Sequence, residues 1–383
     1  MLYFRYSLLS KLAVISWVCF LIFSCNKPPA LEETFLLDEF EWQLEKDLRD
    51  DDLNGSMAMT IVKGNKVLRS KAFGMADLNN TPADTNNIYR VGSVSKSFTA
   101  FLMMLLVQDE IITLDEPVEK YVPEVRNITG YSDSTKFTFR ELASHTAGLA
   151  SIPKTRYIHG SVDEWESILL KVMPAVYFID QPGKRYAYSN VAFAILGLAL
   201  SRASQQPFVT LMEQKVFLPL GMKNTFYEIP ENKMKHLAAG RSGGPMGGYD
   251  DERPRKEIVG RSFAVPNGGI WSTANDLARF MRCIMGYESL LNKENLTIML
   301  STQTPPGRWS ENYSLGFSIY EDDVIHTIGH QGGTPGYRAN FLFEQETEYG
   351  VILLRNYNWG VTDLNLRSTL LLRQLKIVDV VQP

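Results

Sequence analysis

Apolar and polar positions change rhythm three times along this chain. Residues 35–50 repeat apolar side chains at helical spacing and predict an amphipathic helix. The stretches SMAMTIVKG and KVLRSKAFG then read as two strands around the turn at Gly64 and Asn65, a hairpin. Near the other end, YSLGFSIY, VIHTIGH, YRANFLFEQ and EYGVILLRN read as strands, and residues 361–376 as a closing helix. The middle is mostly helical with long loops. An α+β fold follows: an antiparallel sheet of about five strands, built from both chain ends and flanked by helices, with a helical lobe inserted. The boundaries are a sheet lobe at 35–75 and 305–376 and a helical lobe at 76–304, so that 35–376 forms the folded unit. A cleft between lobes is where a small-molecule site is expected.

The first 24 residues do not belong to that pattern. Arg5 and Lys11 precede the apolar run LAVISWVCFLIFS, which is short for a bilayer span and reads as a secretory signal peptide. Cys25 follows directly. The residues IFS before it resemble the lipobox of bacterial lipoproteins, which implies lipidation of Cys25, a membrane anchor and a cell-envelope location; an uncleaved anchor or ordinary cleavage are the alternatives. Residues 25–34 then form a tether.

Composition removes several classes. Hydrophobic residues are 45% and charged residues 21% of 383, which argues for a large packed core and against disorder. A net charge of −4 without a basic stripe argues against nucleic-acid binding. Once Cys19 leaves with the signal and Cys25 is lipidated, only Cys283 remains, in ARFMRCIM, where it reads as a small buried hydrophobe. The five histidines show no metal-ligand spacing, the one G-x-S-x-G, Gly240 to Gly244, opens the glycine-rich loop rather than joining a strand to a helix, and no cofactor is expected. Asp50, Asp51 and Asp52 read as a solvated helix end. The glycine- and charge-rich residues 241–262 read as a loop bordering the cleft.

The candidate chemistry lies in VGSVSKSFTAFLMMLLV. A helix from about Ser93 puts Val94, Phe98, Phe101, Leu102 and Leu105 on one buried stripe and brings Ser93 and Lys96, three apart, onto a common face. An amine beside a hydroxyl at a helix start is what an activated serine needs. S-x-x-K also occurs at Ser24 and at Ser151; Pro153 spoils the latter as a helix. Ser95 and Ser97 read as solvent-facing or helix-bonded hydroxyls. In YAYSNVAFAILGLAL, Tyr188 and Asn190 form a Y-x-N; a phenol relays protons if a neighbouring cation lowers its pKa, and the amide can hold lysine and substrate. In GHQGGTPGYRANF, His330 precedes glycines that let backbone approach a ligand.

The ordered set Ser93-x-x-Lys96, Tyr188-x-Asn190 and His330-x-Gly332 resembles the three motifs of the serine β-lactamase and DD-peptidase superfamily, in its class C-like branch. The stretches FGMADL, ELASHTAGL, FLPLGMKNT and GGIWSTANDLARFM extend the resemblance over residues 56–356. It implies Ser93 as acylated nucleophile, Lys96 as its proton acceptor or activator and Tyr188 as the acid and base serving the leaving group and water. It further implies Asn190 and His330 as substrate-positioning residues, with an oxyanion hole from the N–H groups of Ser93 and Gly333. Which of Lys96 and Tyr188 takes the first proton stays open. The third motif departs from Lys-Thr/Ser-Gly: His330 is cationic only at lower pH, and Gln331 replaces a hydroxyl. That shifts expectation from a β-lactam towards an ester or a D-alanyl peptide, with a β-lactamase or a catalytically silent penicillin-binding or sensor domain as alternatives. Arg338 is either a carboxylate-binding charge or a solvated strand end. His145 reads as a structural loop residue near the cleft.

Overall fold

The computed structural model describes residues 32–77, 79–155, 158–243, 249–250, 262–307 and 311–381. Residues 1–31, with the signal, Cys25 and most of the tether, lie outside them, as do 244–248 and 251–261 of the glycine-rich loop.

Helix α1, Glu33–Asp51, buries Leu36, Leu37, Phe40 and Leu44 and ends at Asp52, whose left-handed φ of 46° turns its N–H back onto the Arg49 carbonyl. Strands β1 (Ser56–Lys63) and β2 (Lys66–Gly74) form the expected hairpin. The sheet is completed by β3 (Ser318–Glu321), β4 (His326–Thr334), β5 (Tyr337–Glu344) and β6 (Tyr349–Arg355). Its order is β2-β1-β6-β5-β4-β3, antiparallel throughout, with six strands where about five were expected.

Central strand β1 is buried on both faces, and its alternation sorts the two cores. Met57, Met59 and Ile61 pack with the apolar face of α1 and with Leu371, Leu372 and Leu375 of the closing helix α5 (Leu364–Val381); Ala58 and Val62 face the helical body. In that body α2 (Ser95–Gln108) is buried from Ser95 to Leu106, so the single expected stripe understates it: other elements cover every side of the helix. Helix α3 (Asn190–Ser204) is capped by the Ser189 hydroxyl, which accepts the Ala192 N–H, and α4 (Ala274–Ile284) lays Phe280 against Phe98 of α2 and Phe341 of β5.

Two polar expectations fail for the same reason, the depth of this packing. Ser95 accepts the Ile270 N–H and Ser97 donates to the Gly316 carbonyl, so both are buried tertiary ties rather than solvent-facing groups. Asp51 is no solvated helix end. Its fully buried carboxylate accepts the Tyr357 hydroxyl at 2.8 Å and the Val361 N–H at 2.9 Å, and faces Arg355 at 3.4 Å. Among the described residues no helix is long and apolar enough to cross a membrane.

Candidate active site

Ser93 lies in a single 3-10 turn, Gly92–Val94, that leads directly into α2. Gly92 has a φ of +55°, and a Cβ there would come within 2.9 Å of the Gly333 nitrogen; a Cβ on Gly332 would overlap the Val91 carbonyl oxygen. The two glycines therefore let the Ser93 turn and the end of β4 pack backbone against backbone. The closeness expected between the third-motif glycines and a ligand is, at Gly332, closeness to the chain itself. Gly333 is exposed, cross-strand from Arg338, whose exposed guanidinium reaches over it.

Lys96, one helical turn on, is fully buried. Its Nζ donates to Ser93 Oγ at 3.0 Å, Asn190 Oδ1 at 2.8 Å and the Asn267 carbonyl at 3.0 Å. All three acceptors are uncharged, so burial drives its pKa well below the usual lysine range. The Asn190 amide is held by its other end too, donating to Ser151 Oγ at 3.3 Å.

Tyr188 completes the convergence. Its hydroxyl donates to Ser93 Oγ at 2.8 Å, and its ring lies under Lys96 Nζ, 4.8 Å from the centroid. The condition set for a phenol relay, a pKa lowered by a neighbouring cation, is not met here. Burial pushes Tyr188 up to about 12, with Glu311 adding to the rise and the Ser93 hydrogen bond opposing it.

His330 lies beyond Tyr188, with the two ring centroids 6.4 Å apart. It is nearly buried on β4, its Nδ1 lies 2.6 Å from the Gln331 carbonyl and its Nε2 2.9 Å from the Tyr313 hydroxyl. Burial first, and Lys96 second, lower it to about 3, against the pull of the Gln331 carbonyl, so the ring is neutral at physiological pH.

Two residues beside the site were not assigned to it from sequence. His145, at a φ of +60°, accepts the Ser189 N–H on Nδ1 at 3.1 Å and packs at a tilt against the Tyr188 ring at 4.3 Å and those of Phe193 and Tyr313 at 4.9 Å. Burial, then Lys96 and His330, hold it neutral as well. Its signal was the stretch SHTAGL, which locates a loop without saying which ring it supports. Tyr313 had no local signal, because its partners come from three separate segments.

Of these residues Tyr188 and His330 line a cleft of about 970 Å³, together with Tyr186, Glu311, Tyr320 and Asp363, and its described lining holds no lysine or arginine. Cys283 is elsewhere, buried in α4, its thiol pushed up to about 12 by burial. Among the described residues no group of His, Cys, Asp or Glu is arranged to hold a metal ion.

Comparison with known proteins agrees with this geometry. The beta-lactamase family model matches residues 43–376. Beta-lactamase-like protein 4 of Dictyostelium discoideum is 27% identical over 321 residues, 77% of this chain and 55% of that protein. The D-alanyl-D-alanine-carboxypeptidase/endopeptidase AmpH of Escherichia coli (strain K12) is 29% identical over 229 residues, 59% of this chain and 56% of that protein. The chain thus spans little more than half the length of these two relatives. Among solved structures, a class C beta-lactamase superposes with a TM-score of 0.74 over 94% of this chain and 99% of its own, at 19% identity, which is a likeness of fold. The residues that carry the three motifs all fall inside the matched span, and the chain belongs to the beta-lactamase family.

Proposed function

We propose that this chain is a serine hydrolase that works through an acyl-enzyme on an amide or ester, with a D-alanyl peptide ahead of a β-lactam as the acyl donor. The observation that carries the reading is the meeting of Lys96 Nζ and Tyr188 OH on one oxygen, Ser93 Oγ.

The hydrogen bonds indicate how the protons would travel. Asn190 Oδ1 and the Asn267 carbonyl can only accept, so they occupy two N–H groups of Lys96 in either charge state. The remaining position faces Ser93. As an ammonium Lys96 donates there; as an amine it offers a lone pair to the Ser93 proton. With the lysine depressed and the phenol raised, Lys96 is the better first acceptor, a point that the spacing alone left open. Ser93 Oγ then bonds to the acyl carbon, its proton goes to Lys96, and the C–N or C–O bond breaks as the leaving group takes the Tyr188 proton. Lys96 restores that proton, and water reverses the transfers to release the acid. The N–H groups of Ser93 and Gly333 would hold the oxyanion, on backbone segments that Gly92 and Gly332 allow to pack together.

A neutral His330 supports an ester or amide without a carboxylate at this position; a β-lactam and a D-Ala-D-Ala terminus both carry one, so the imidazole does not rank those two. The E. coli relative is a carboxypeptidase and endopeptidase by name, in keeping with a D-alanyl peptide. The proposal includes export on residues 1–24 and a lipid anchor at Cys25, so that the enzyme acts at the bacterial cell envelope.

A fluorophosphonate or penicillin probe should label the wild type and leave Ser93→Ala unlabelled; equal labelling of both would reject the assigned nucleophile. Turnover of a chromogenic cephalosporin, a D-Ala-D-Ala peptide and short aryl esters then ranks the substrates. If a folded, labelled protein turns over none of them, the silent sensor becomes the better reading.

A further inference from the structure

Tyr313 takes no part in the acyl transfer described above, yet it is fully buried against three aromatic rings of the site. Its ring lies 4.9 Å from His145, 5.6 Å from Tyr186 and 5.9 Å from His330, the last at 89° to the imidazole. That packing aims its hydroxyl at His330 Nε2, 2.9 Å away. The direction of this bond follows from the other side of the ring. The Gln331 oxygen can only accept, so the ring proton sits on Nδ1, which donates to it at 2.6 Å. Nε2 is then a lone pair, and Tyr313 O–H is its donor.

We propose that Tyr313 is a positioning residue that locks His330 as its neutral Nδ1–H tautomer, so that the third-motif histidine meets the cleft as an uncharged wall with both nitrogens already engaged. Donation into Nε2 stabilises only the neutral ring, since an imidazolium has no lone pair there. The groups around that ring are Lys96 from α2, His145 from the loop after residues 139–143, Tyr186 and Tyr188 ahead of α3, and Tyr313 ahead of β3, with Glu311 acting on the tyrosines. A second cation among them would oppose the ammonium that Lys96 becomes when it takes the Ser93 proton. Protonation of His330 should therefore slow acylation. This kinetic consequence rests on the proposed acyl transfer; the tautomer does not.

The two are separated by measuring the ring itself. In the full chain, 15N spectra of the imidazoles, assigned by comparison with His330→Gln, should show His330 as the Nδ1–H tautomer and without titration from about pH 8 to about pH 5. In Tyr313→Phe the neutral ring loses its donor while burial and Lys96 still disfavour the cation, so the Nε2 resonance should shift towards that of an unbonded ring nitrogen and the titration of His330, followed to lower pH, should move up by about one pH unit. An Nε2–H tautomer in the wild type, wild-type titration between those limits, or a Tyr313→Phe spectrum unchanged from wild type would overturn the proposal. If Tyr313→Phe does not fold, the wild-type Nε2 resonance decides, because a lone pair that accepts the Tyr313 proton is displaced from the unbonded position and a free one is not. Should Ser93 prove not to be the nucleophile, the spectra still test the lock.

Discussion

Two lysines in this molecule, Lys376 half-buried and Lys96 fully buried, keep opposite company. Lys376 of α5 donates to Glu344 of β5 at 2.8 Å and pairs with Glu346. Burial works to lower its pKa, and the two carboxylates overcome it, so Lys376 is raised above the usual lysine range. Lys96 of α2 is buried more deeply and meets only a hydroxyl, an amide oxygen and a carbonyl, so nothing offsets the desolvation. The first lysine is fixed as a cation and ties α5 to the sheet. The second is poised to change its proton. In the proposed reaction it is the absence of a carboxylate from its hydrogen-bond partners that lets the Lys96 amine take up a proton, and the outer layer repeats the paired arrangement instead, where Arg355 meets Asp51 and Arg367 meets Asp47.

The sharpest break of this contrast is Lys96→Met. Activity towards any ester or peptide that the wild type turns over should fall by about a thousandfold or more, because the proton acceptor is gone. Stability should hardly change, within about 1 kcal/mol in urea unfolding. The variant no longer desolvates an amine, but it strands the Asn190 and Asn267 oxygens, and these terms oppose each other. A collapse of stability would mean that Lys96 is a structural cation like Lys376.

Asn190→Asp should convert one lysine into the other. A carboxylate at the position of the Asn190 amide would lie one hydrogen bond from Lys96 Nζ and favour its charged form. We expect kcat/KM to fall about a hundredfold at neutral pH and to recover partly as pH rises, the acid limb having moved upward. An unchanged profile would show that Lys96 is not the group whose proton is lost on that limb.

How much of this was legible in the chain depends on the range of the interaction. Ser93 and Lys96 meet because three residues make about one helical turn, and the hairpin of β1 and β2 follows from alternation around Gly64; both are local rules. Tyr188 and His330 were singled out from the Y-x-N and from the histidine ahead of glycines, but their catalytic and positioning roles came only through motif resemblance. Their protonation was not legible, because burial is a property of the assembled core: whether the phenol or Lys96 is shifted was open and the phenol is raised, and the imidazole was weighed as a cation and is neutral. Asp51 teaches the same lesson outside the site. In sequence it sits in a run of three aspartates, and its partner Arg355 is 304 residues away. Asn267 acts through its backbone carbonyl, which no side-chain pattern advertises.

The mildest test works on the stable member of the pair. Glu344 is fully buried and accepts the Lys376 ammonium, the Thr347 N–H and hydroxyl, and the Glu346 and His326 N–H groups. Burial pushes its carboxyl up, but these donors outweigh burial and hold it below the usual carboxylate range. Glu344→Gln keeps one acceptor oxygen and turns an NH2 towards donors, while Lys376 keeps only Glu346. A loss of about 1.5 kcal/mol at pH 7 is expected in urea unfolding. The sign of its pH dependence is set by the depressed carboxyl. Wild type binds fewer protons folded than unfolded as it titrates, so the advantage of Glu344 is full above the unfolded carboxyl pKa and fades as pH falls through the folded one. The gap between wild type and Glu344→Gln should therefore close below about pH 4. A gap that persists undiminished in acid would assign the loss to shape rather than charge, and would leave Lys376 held by geometry, much as Lys96 is.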